Sequence, residues 1–137
     1  MRFMTLEELK IKLADINNLV VTFQTSVALE KYYSENIVMI EGDGTITTGK
    51  QECRKGREVF FKEMLVEFRE SKLISQDIAV SADKNYDFVV ISNWYNDYTV
   101  KVDDQIVDTK SNQISIGYWK DGVVVKESYN YPVTSMV

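Results

Sequence analysis

Apolar and polar residues follow the period of an α-helix near the start of the chain. Thr5 followed by Glu8 is typical of a capping box, which predicts the N-terminus of this helix. A single buried stripe is predicted from apolar residues spaced three and four apart, namely Leu6, Leu9, Leu13, Ile16, Val20 and Phe23. A second short helix is predicted from Ser26 to Tyr33.

A short strand and a longer helix are predicted next. The strand covers Ile37 to Glu41 and ends at the turn sequence Gly42-Asp43-Gly44. The segment from Gly49 to about Arg69 is predicted to be helical, because its apolar residues fall on one side. These residues are Cys53, Phe60, Phe61, Met64, Leu65 and Phe68.

From Leu73 onward the pattern changes to the period of two that is typical of strands. Ile74, Ile78, Val80 and Ala82 are predicted on one face of the first strand. Three further strands are predicted at Phe88 to Val102, at Asn112 to Lys120 with a start near Gln105 also open, and at Val123 to Tyr131. Asp103-Asp104 and Asp121-Gly122 occupy the hairpin positions, and Asp-Gly favours a type I′ turn.

This order of elements predicts an α+β fold. Four strands in a meander form an antiparallel sheet that curls, and helices must cover its concave face to bury it. Such an arrangement often leaves a cavity between the helices and the sheet. The length of 137 residues fits one domain, predicted over residues 1–137, and the 45% apolar content is ordinary for a globular protein.

Charge and composition exclude several classes of function. The formal net charge is −5, which argues against binding to nucleic acid. No apolar run approaches the roughly 20 residues that span a bilayer, no signal-peptide pattern opens the chain, and the single cysteine excludes an internal disulfide. A cytoplasmic protein without a membrane partner is therefore predicted. The basic group Arg54, Lys55 and Arg57 is interpreted as a solvated helix face.

The chain contains no histidine. Nucleophile–histidine pairs and imidazole metal ligands are therefore excluded, and no metal site is expected. Gly42, Gly44 and Gly49 do not have the spacing of a phosphate-binding loop, so no nucleotide cofactor is expected either. Carboxylate and tyrosine chemistry remains.

Several segments resemble the SnoaL-like branch of the nuclear-transport-factor-2-like superfamily. They are ALEKYYSENIVMIEG (Ala28 to Gly42), the Gly49-Lys50 opening of the third helix, SNWYNDYTV (Ser92 to Val100) and YWKDGVVVKESYNY (Tyr118 to Tyr131). The last is similar to the family's W-x-D-G-x-I-x-x-E-x-aromatic hairpin. The resemblance implies a cone-shaped (cystatin-like) domain with an apolar pocket, which often forms a homodimer through its sheet.

The same resemblance implies a fold rather than one activity. Relatives include cyclases, isomerases, dehydratases and hydrolases, and also binding modules without catalysis, so the function must be argued from the site. Several catalytic branches use a pocket histidine, and this chain departs from them.

Three carboxylates match family positions, namely Glu41, Asp97 and Glu127. Glu41 ends an apolar strand, where desolvation would raise its pKa and suit it to acid or base work, although it could also face water beside its turn. Asp97 follows Trp94 by three residues, so the two point to opposite faces, and a solvent or dimer contact is the alternative. Glu127 shares a face with Val125 and Tyr129 and could orient a ligand or pair with a cation.

A ring-accepting pocket is predicted from side chains that could equally form the core. The ligand-binding candidates are Tyr33, Phe60, Met64, Trp94, Tyr98 and Tyr129. Trp119 could be exposed at a dimer contact or packed across its hairpin. Cys53 is interpreted as a buried packing residue.

Two functional hypotheses follow. The first is a cofactor-free isomerase, cyclase or dehydratase that acts on a small apolar or aromatic molecule, with Glu41 as the base. The second is a non-catalytic ligand-binding or dimerisation protein. A homodimer is predicted through the outer face of the sheet.

Overall fold

Three helices and one six-stranded sheet make up the computed structural model, which describes residues 3–131. The helices are α1 (Leu6–Val21), α2 (Thr25–Tyr32) and α3 (Lys50–Val59). A single wide π-type turn, Phe60–Met64, follows α3. The strands are β1 (Tyr33–Ile40), β2 (Ile46–Thr48), β3 (Leu65–Val80), β4 (Phe88–Val102), β5 (Gln105–Lys120) and β6 (Val123–Asn130). Residues 1–2 and 132–137 of the predicted domain lie outside the described part.

The predicted capping box begins α1. The Glu8 amide donates to Thr5 Oγ1 at 3.1 Å, and the Thr5 amide donates to Glu8 Oε2 at 3.4 Å. Leu9 and Leu13 of the predicted stripe are buried, whereas Leu6 is 42% exposed and Leu19, outside the stripe, is buried. The prediction of a single buried stripe was therefore only partly correct. Helix α1 contacts α2 as well as β3, so the buried side of α1 is broader than one line of residues.

The four long strands form the predicted meander, and the α+β fold is confirmed. The sheet order is β2-β1-β6-β5-β4-β3, with β1 and β6 parallel and all other pairs antiparallel. Both residues of each predicted turn have positive φ, 49° and 65° at Asp103-Asp104 and 52° and 85° at Asp121-Gly122, as type I′ turns require. The short strand β2 was not predicted, and β1 begins four residues earlier than expected.

The third helix ends ten residues before the predicted Arg69, which is the largest error of the sequence interpretation. The cause is the pair of bulges at the start of β3, at Leu65/Glu67 and Phe68/Glu70; a third bulge follows at Leu73/Ser75. Each bulge inserts an extra residue, so Leu65, Phe68 and Ser71 pair with Val100, Tyr98 and Asn96 at spacings of three. A strand with this spacing imitates the helical period.

Because of bulges, two side chains lie on a different strand face from the one predicted. Ile74 lies within the third bulge of β3 and is exposed, so it does not share the buried side with Ile78. The pairing of β5 with β6 shifts between Tyr118/Lys126 and Trp119/Val124, which leaves Val125 unpaired. Val124, and not Val125, therefore lies on the same side as Glu127.

The helices cover one face of the sheet, called the inner face below. The inner face of β4 presents its even-numbered residues, from Phe88 to Val100. Trp119 is 1% exposed and packs in the core with Leu9, Leu29, Ile37 and Val124, so it forms no surface contact. No helix among residues 3–131 has the length and apolar character needed to cross a membrane.

Candidate functional site

A cavity of about 490 Å³ lies between the helices and the inner face of the sheet. Seven of the predicted site residues line it, namely Tyr33, Glu41, Phe60, Trp94, Tyr98, Glu127 and Tyr129. Two do not. Asp97 lies on the outer face of β4, where Arg69 Nε donates to its Oδ1 at 2.9 Å, and Met64 lies outside the cavity wall at the end of the π-type turn.

Glu127 is the most enclosed acidic group of the cavity. It lies on β6 between Met39 of β1 and Gly117 of β5 in the pairing of the sheet. The Tyr33 hydroxyl donates to its carboxylate, 2.8 Å from both Oε1 and Oε2, and the Tyr129 hydroxyl donates to Oε1. Burial raises the pKa of Glu127, while the hydrogen bonds from Tyr129 and Tyr33 act in the opposite direction.

The two tyrosines are held as neutral donors. Burial, followed by the nearby charge of Glu127, raises the pKa of Tyr33 and of Tyr129 well above the ordinary value. Neither hydroxyl ionises near neutral pH under these conditions. Each can therefore donate a hydrogen bond to Glu127 or to an oxygen atom that replaces it.

Gly117 lies beside this carboxyl and places no side chain against it. It pairs directly with Glu127, and a Cβ atom at Gly117 would lie 3.5 Å from Glu127 Oε2. A larger side chain would extend over the carboxyl. The absence of a side chain at this position keeps Glu127 accessible from the cavity.

Glu41 follows β1 and reaches the cavity from a more exposed position. Its backbone closes the β1–β2 turn, with its amide donating to Thr45 O at 2.8 Å and its carbonyl accepting from the Gly44 amide at 2.9 Å. Partial burial against the cavity raises the pKa of Glu41, as does Asp43, and Arg57 opposes this rise. The negative charge of Glu41 further raises the pKa of Glu127, so the two carboxyls are electrostatically linked.

Arg57 lines the same cavity, and the sequence interpretation missed it. Its position on α3 could have indicated that Arg57 faces the cavity. Arg57 lies one helical turn after the buried Cys53 and three residues before Phe60. These three side chains share one side of the helix, and all of them line the cavity. The neighbouring charges at Arg54 and Lys55, which do not line the cavity, concealed the inward-facing position of Arg57.

Aromatic rings form the apolar end of the cavity. Phe23 stacks on Phe68 at a centroid separation of 4.2 Å and meets Phe61 edge-on at 5.3 Å. Phe60 meets Tyr98 edge-on at 6.2 Å. Aromatic pairs in these geometries attract one another beyond their burial alone. This end therefore offers a wall of rings to an apolar or aromatic ligand.

A hydrogen-bonded polar wall closes another side. Gln76 Nε2 donates to Asn17 Oδ1 at 3.1 Å and to Ser92 Oγ at 2.9 Å, which joins α1 to β3 and β4. Because these groups satisfy one another, they act as structure rather than as free donors. Cys53 is buried, and burial raises the pKa of its thiol, which disfavours the reactive thiolate. No cluster of three or more potential metal-ligating side chains occurs within residues 3–131.

Comparison with known proteins identifies the fold. No protein-family model matches the chain. No curated protein matches it either. Among solved structures, a candidate SnoaL-like polyketide cyclase from Jannaschia sp. CCS1 is similar, with a TM-score of 0.64, 11% identity and coverage of 96% of this chain and 92% of that chain.

Two further solved structures extend the likeness. A candidate isomerase from Bacillus subtilis has a TM-score of 0.61 and 19% identity, over 93% of this chain and 89% of that chain. An NTF2-like protein of unknown function from Burkholderia pseudomallei has a TM-score of 0.59 and 10% identity, over 93% and 92%. The resemblance stated from sequence motifs is thus confirmed at the level of the fold. Identities this low do not transfer an activity.

Proposed function

We propose that this chain is a small-molecule pocket protein that catalyses a proton-transfer reaction without a cofactor. Isomerisation, cyclisation or dehydration of a largely apolar substrate would fit. The observation behind the proposal is the half-buried Glu127, whose carboxyl accepts from two hydroxyl donors and shares its cavity with a second carboxyl, that of Glu41. Two linked carboxyls in unequal environments are the usual basis of paired acid and base roles.

Glu41 is the proposed base. It is more exposed than Glu127, so it ionises more readily and can return a captured proton to solvent. It would remove a proton from carbon next to a carbonyl group of the substrate. Its partly buried position raises the pKa towards the range in which a carboxylate is an effective base.

Glu127, Tyr33 and Tyr129 are the proposed hydrogen-bond donors to the carbonyl oxygen of the substrate. Removal of the carbon-bound proton leaves negative charge on the carbonyl oxygen, and donors already in place stabilise that charge. Burial raises the pKa of Glu127, and in its protonated form Glu127 would donate a hydrogen bond to this oxygen, with the neutral hydroxyls of Tyr33 and Tyr129 beside it. The similar structures named as a candidate polyketide cyclase and a candidate isomerase are compatible with this class of chemistry.

A generic proton-transfer substrate tests the proposal without knowledge of the natural one. 5-Nitrobenzisoxazole loses its carbon-bound proton to a base, its N–O bond breaks, and a coloured phenolate forms. We expect turnover above the buffer rate, reduced by about 100-fold or more in Glu41→Gln. Asp97→Asn removes a carboxylate outside the cavity and should leave turnover unchanged. Full turnover in both Glu41→Gln and Glu127→Gln would refute acid–base catalysis in this cavity.

A second candidate function is ligand binding without catalysis. It is favoured by the mutual hydrogen bonding of Glu127, Tyr33 and Tyr129, since a fully satisfied buried cluster also stabilises a fold. The discriminating result is native mass spectrometry of the purified protein. A retained small molecule, together with no turnover of 5-nitrobenzisoxazole, would support binding alone.

We also propose a homodimer through the outer face of the sheet. Ile91 of β4 lies on that face and is 42% exposed, and its pairing partner Ile116 of β5 is half-buried beside it. Apolar side chains adjacent to one another on a sheet face favour burial against a partner.

A further inference from the structure

Arg57 differs from every other basic residue of α3 in its surroundings. Lys50 contacts Glu35 at 3.4 Å, Arg54 Nη2 donates to Glu30 Oε2 at 3.0 Å, and Lys55 contacts Glu52 at 3.1 Å. The Arg57 guanidinium forms no ion pair and no hydrogen bond with any residue that the structure describes. Arg57 as a residue is half-buried, and it lines the cavity.

The cavity around Arg57 leaves room for a ligand. Gly56, the preceding residue, also lines the cavity, and apart from its chain neighbours and the backbone of α3 no atom lies within 4 Å of the position that a Cβ would take there. Phe60 continues the same side of the helix towards the aromatic end of the cavity. One side of α3 therefore presents the Arg57 cation, the unfilled space beside Gly56 and the aromatic end of the cavity at Phe60.

The cavity's own acidic groups do not satisfy this cation. The charge of Arg57 acts on Glu41 and on Glu127, yet neither carboxylate forms an ion pair with it. Glu52, the third acidic residue that lines the cavity, pairs with Lys55 instead. Glu127 is instead bonded to Tyr33 and Tyr129. A partly desolvated guanidinium without a paired anion is unfavourable, and a planar carboxylate matches its parallel N–H groups in a bidentate contact.

We propose that Arg57 binds the carboxylate group of the cavity's ligand, so that the ligand class is an aromatic or apolar carboxylic acid. This inference deepens the proposed function, since it assigns a substrate class to the same cavity, but the binding itself does not require catalysis. The ring portion of such a molecule would occupy the aromatic end near Phe60 and Phe61. Its carboxylate would lie beside Arg57.

Calorimetric titration with two matched probes tests the inference. 2-Naphthoate and 2-naphthamide share the same ring system, and only the first carries a negative charge at neutral pH. We expect the wild-type protein to bind 2-naphthoate at least tenfold more tightly than 2-naphthamide. Arg57→Gln should remove this preference while the affinity for 2-naphthamide persists, and Arg57→Lys should retain part of it because the charge remains without the planar fork.

Arg54→Gln is the matched control, because it removes an arginine from the same helix outside the cavity and should keep the full preference. The inference is overturned if the wild-type protein shows no preference for 2-naphthoate, or if Arg57→Gln retains it. Turnover of 5-nitrobenzisoxazole is measured separately on wild-type protein and Glu41→Gln. Loss of the binding preference with normal dependence on Glu41 overturns only the ligand class, whereas an intact preference without dependence on Glu41 or Glu127 overturns only the catalytic proposal.

Discussion

Gly117 lies directly opposite Glu127 in the pairing of β5 with β6, and a Cβ at Gly117 would lie 3.5 Å from Glu127 Oε2. This separation is an ordinary van der Waals contact, so alanine fits without displacing the carboxyl. The same methyl group would occupy space through which a ligand reaches Glu127. A substitution of Gly117 by alanine therefore tests ligand access to the Glu127 carboxyl without destabilising the fold.

Gly117→Ala should fold with unchanged or slightly higher stability and bind or turn over ligand less well. Alanine restricts the unfolded chain more than glycine, which adds up to about 1 kcal/mol where the native backbone accepts it. Urea unfolding and turnover of 5-nitrobenzisoxazole measure the two effects on one sample. A variant with full turnover would show that the ligand does not approach Glu127 past Gly117.

Tyr33→Phe should shift the titration of Glu127 to higher pH. The hydroxyl of Tyr33 favours the charged form of the carboxyl, so its removal raises the pKa of Glu127 further above the ordinary value. The lost hydrogen bond to a buried acceptor should also cost about 1–3 kcal/mol of stability. The ¹³C chemical shift of the Glu127 side-chain carboxyl reports the titration directly.

Tyr32→Phe is the neighbouring control for this measurement. The Tyr32 hydroxyl donates to Asp15 rather than to Glu127. Its removal should leave the Glu127 titration at the wild-type position. Equal shifts in both variants would mean that the change arises from a general disturbance of the helix–strand junction.

Glu127→Gln should change how stability depends on pH. The pKa of Glu127 is raised in the folded protein, so folding favours the protonated form, and the native state binds more protons than the unfolded state between the two pKa values. Its contribution is complete below the unfolded value of about 4.3 and is lost as pH rises through the folded pKa. Each unit of difference between the two pKa values corresponds to about 1.4 kcal/mol.

The measurement is the difference between wild-type and Glu127→Gln unfolding free energies at a series of pH values. Glutamine does not titrate, so the variant should gain stability relative to wild type as pH rises through this window. The difference cancels the opposite slopes from Asp15 and Glu30, whose pKa values are lowered by hydrogen bonds from Lys31 and Arg54. A constant difference would show that Glu127 titrates alike in both states.

Sequence reasoning predicted the fold where period and turn chemistry agreed. The Thr5 capping box and the Asp121-Gly122 turn depend only on residues a few positions away, so the local sequence is sufficient to predict them. The end of α3 could not be predicted in this way. The spacing of Leu65, Phe68 and Ser71 is helical, and only pairing with β4 makes it a bulged strand.

Sequence reasoning predicted part of the set of cavity-lining residues, but not how they are arranged. Glu41 and Glu127 were identified from motif positions, and Asp97 was correctly expected on the face opposite Trp94. The sequence did not indicate that Tyr33 donates to Glu127, since 94 residues separate them. Arg57 was overlooked because it lies among other charged residues of α3, and its own direction depends on how α3 packs over the sheet.

Ile91→Asp should convert the proposed homodimer to a monomer. A charge introduced at the centre of an apolar contact on the outer face would be buried without a partner in the dimer, whereas it stays hydrated in the monomer. Sedimentation velocity at micromolar concentration distinguishes the two states. Ile11→Asp is the control, since Ile11 is 73% exposed on α1, away from the sheet, and should not change the assembly. A wild-type protein that sediments as a monomer would contradict the proposed dimer. An Ile91→Asp protein that remains dimeric would show that the interface lies on another surface.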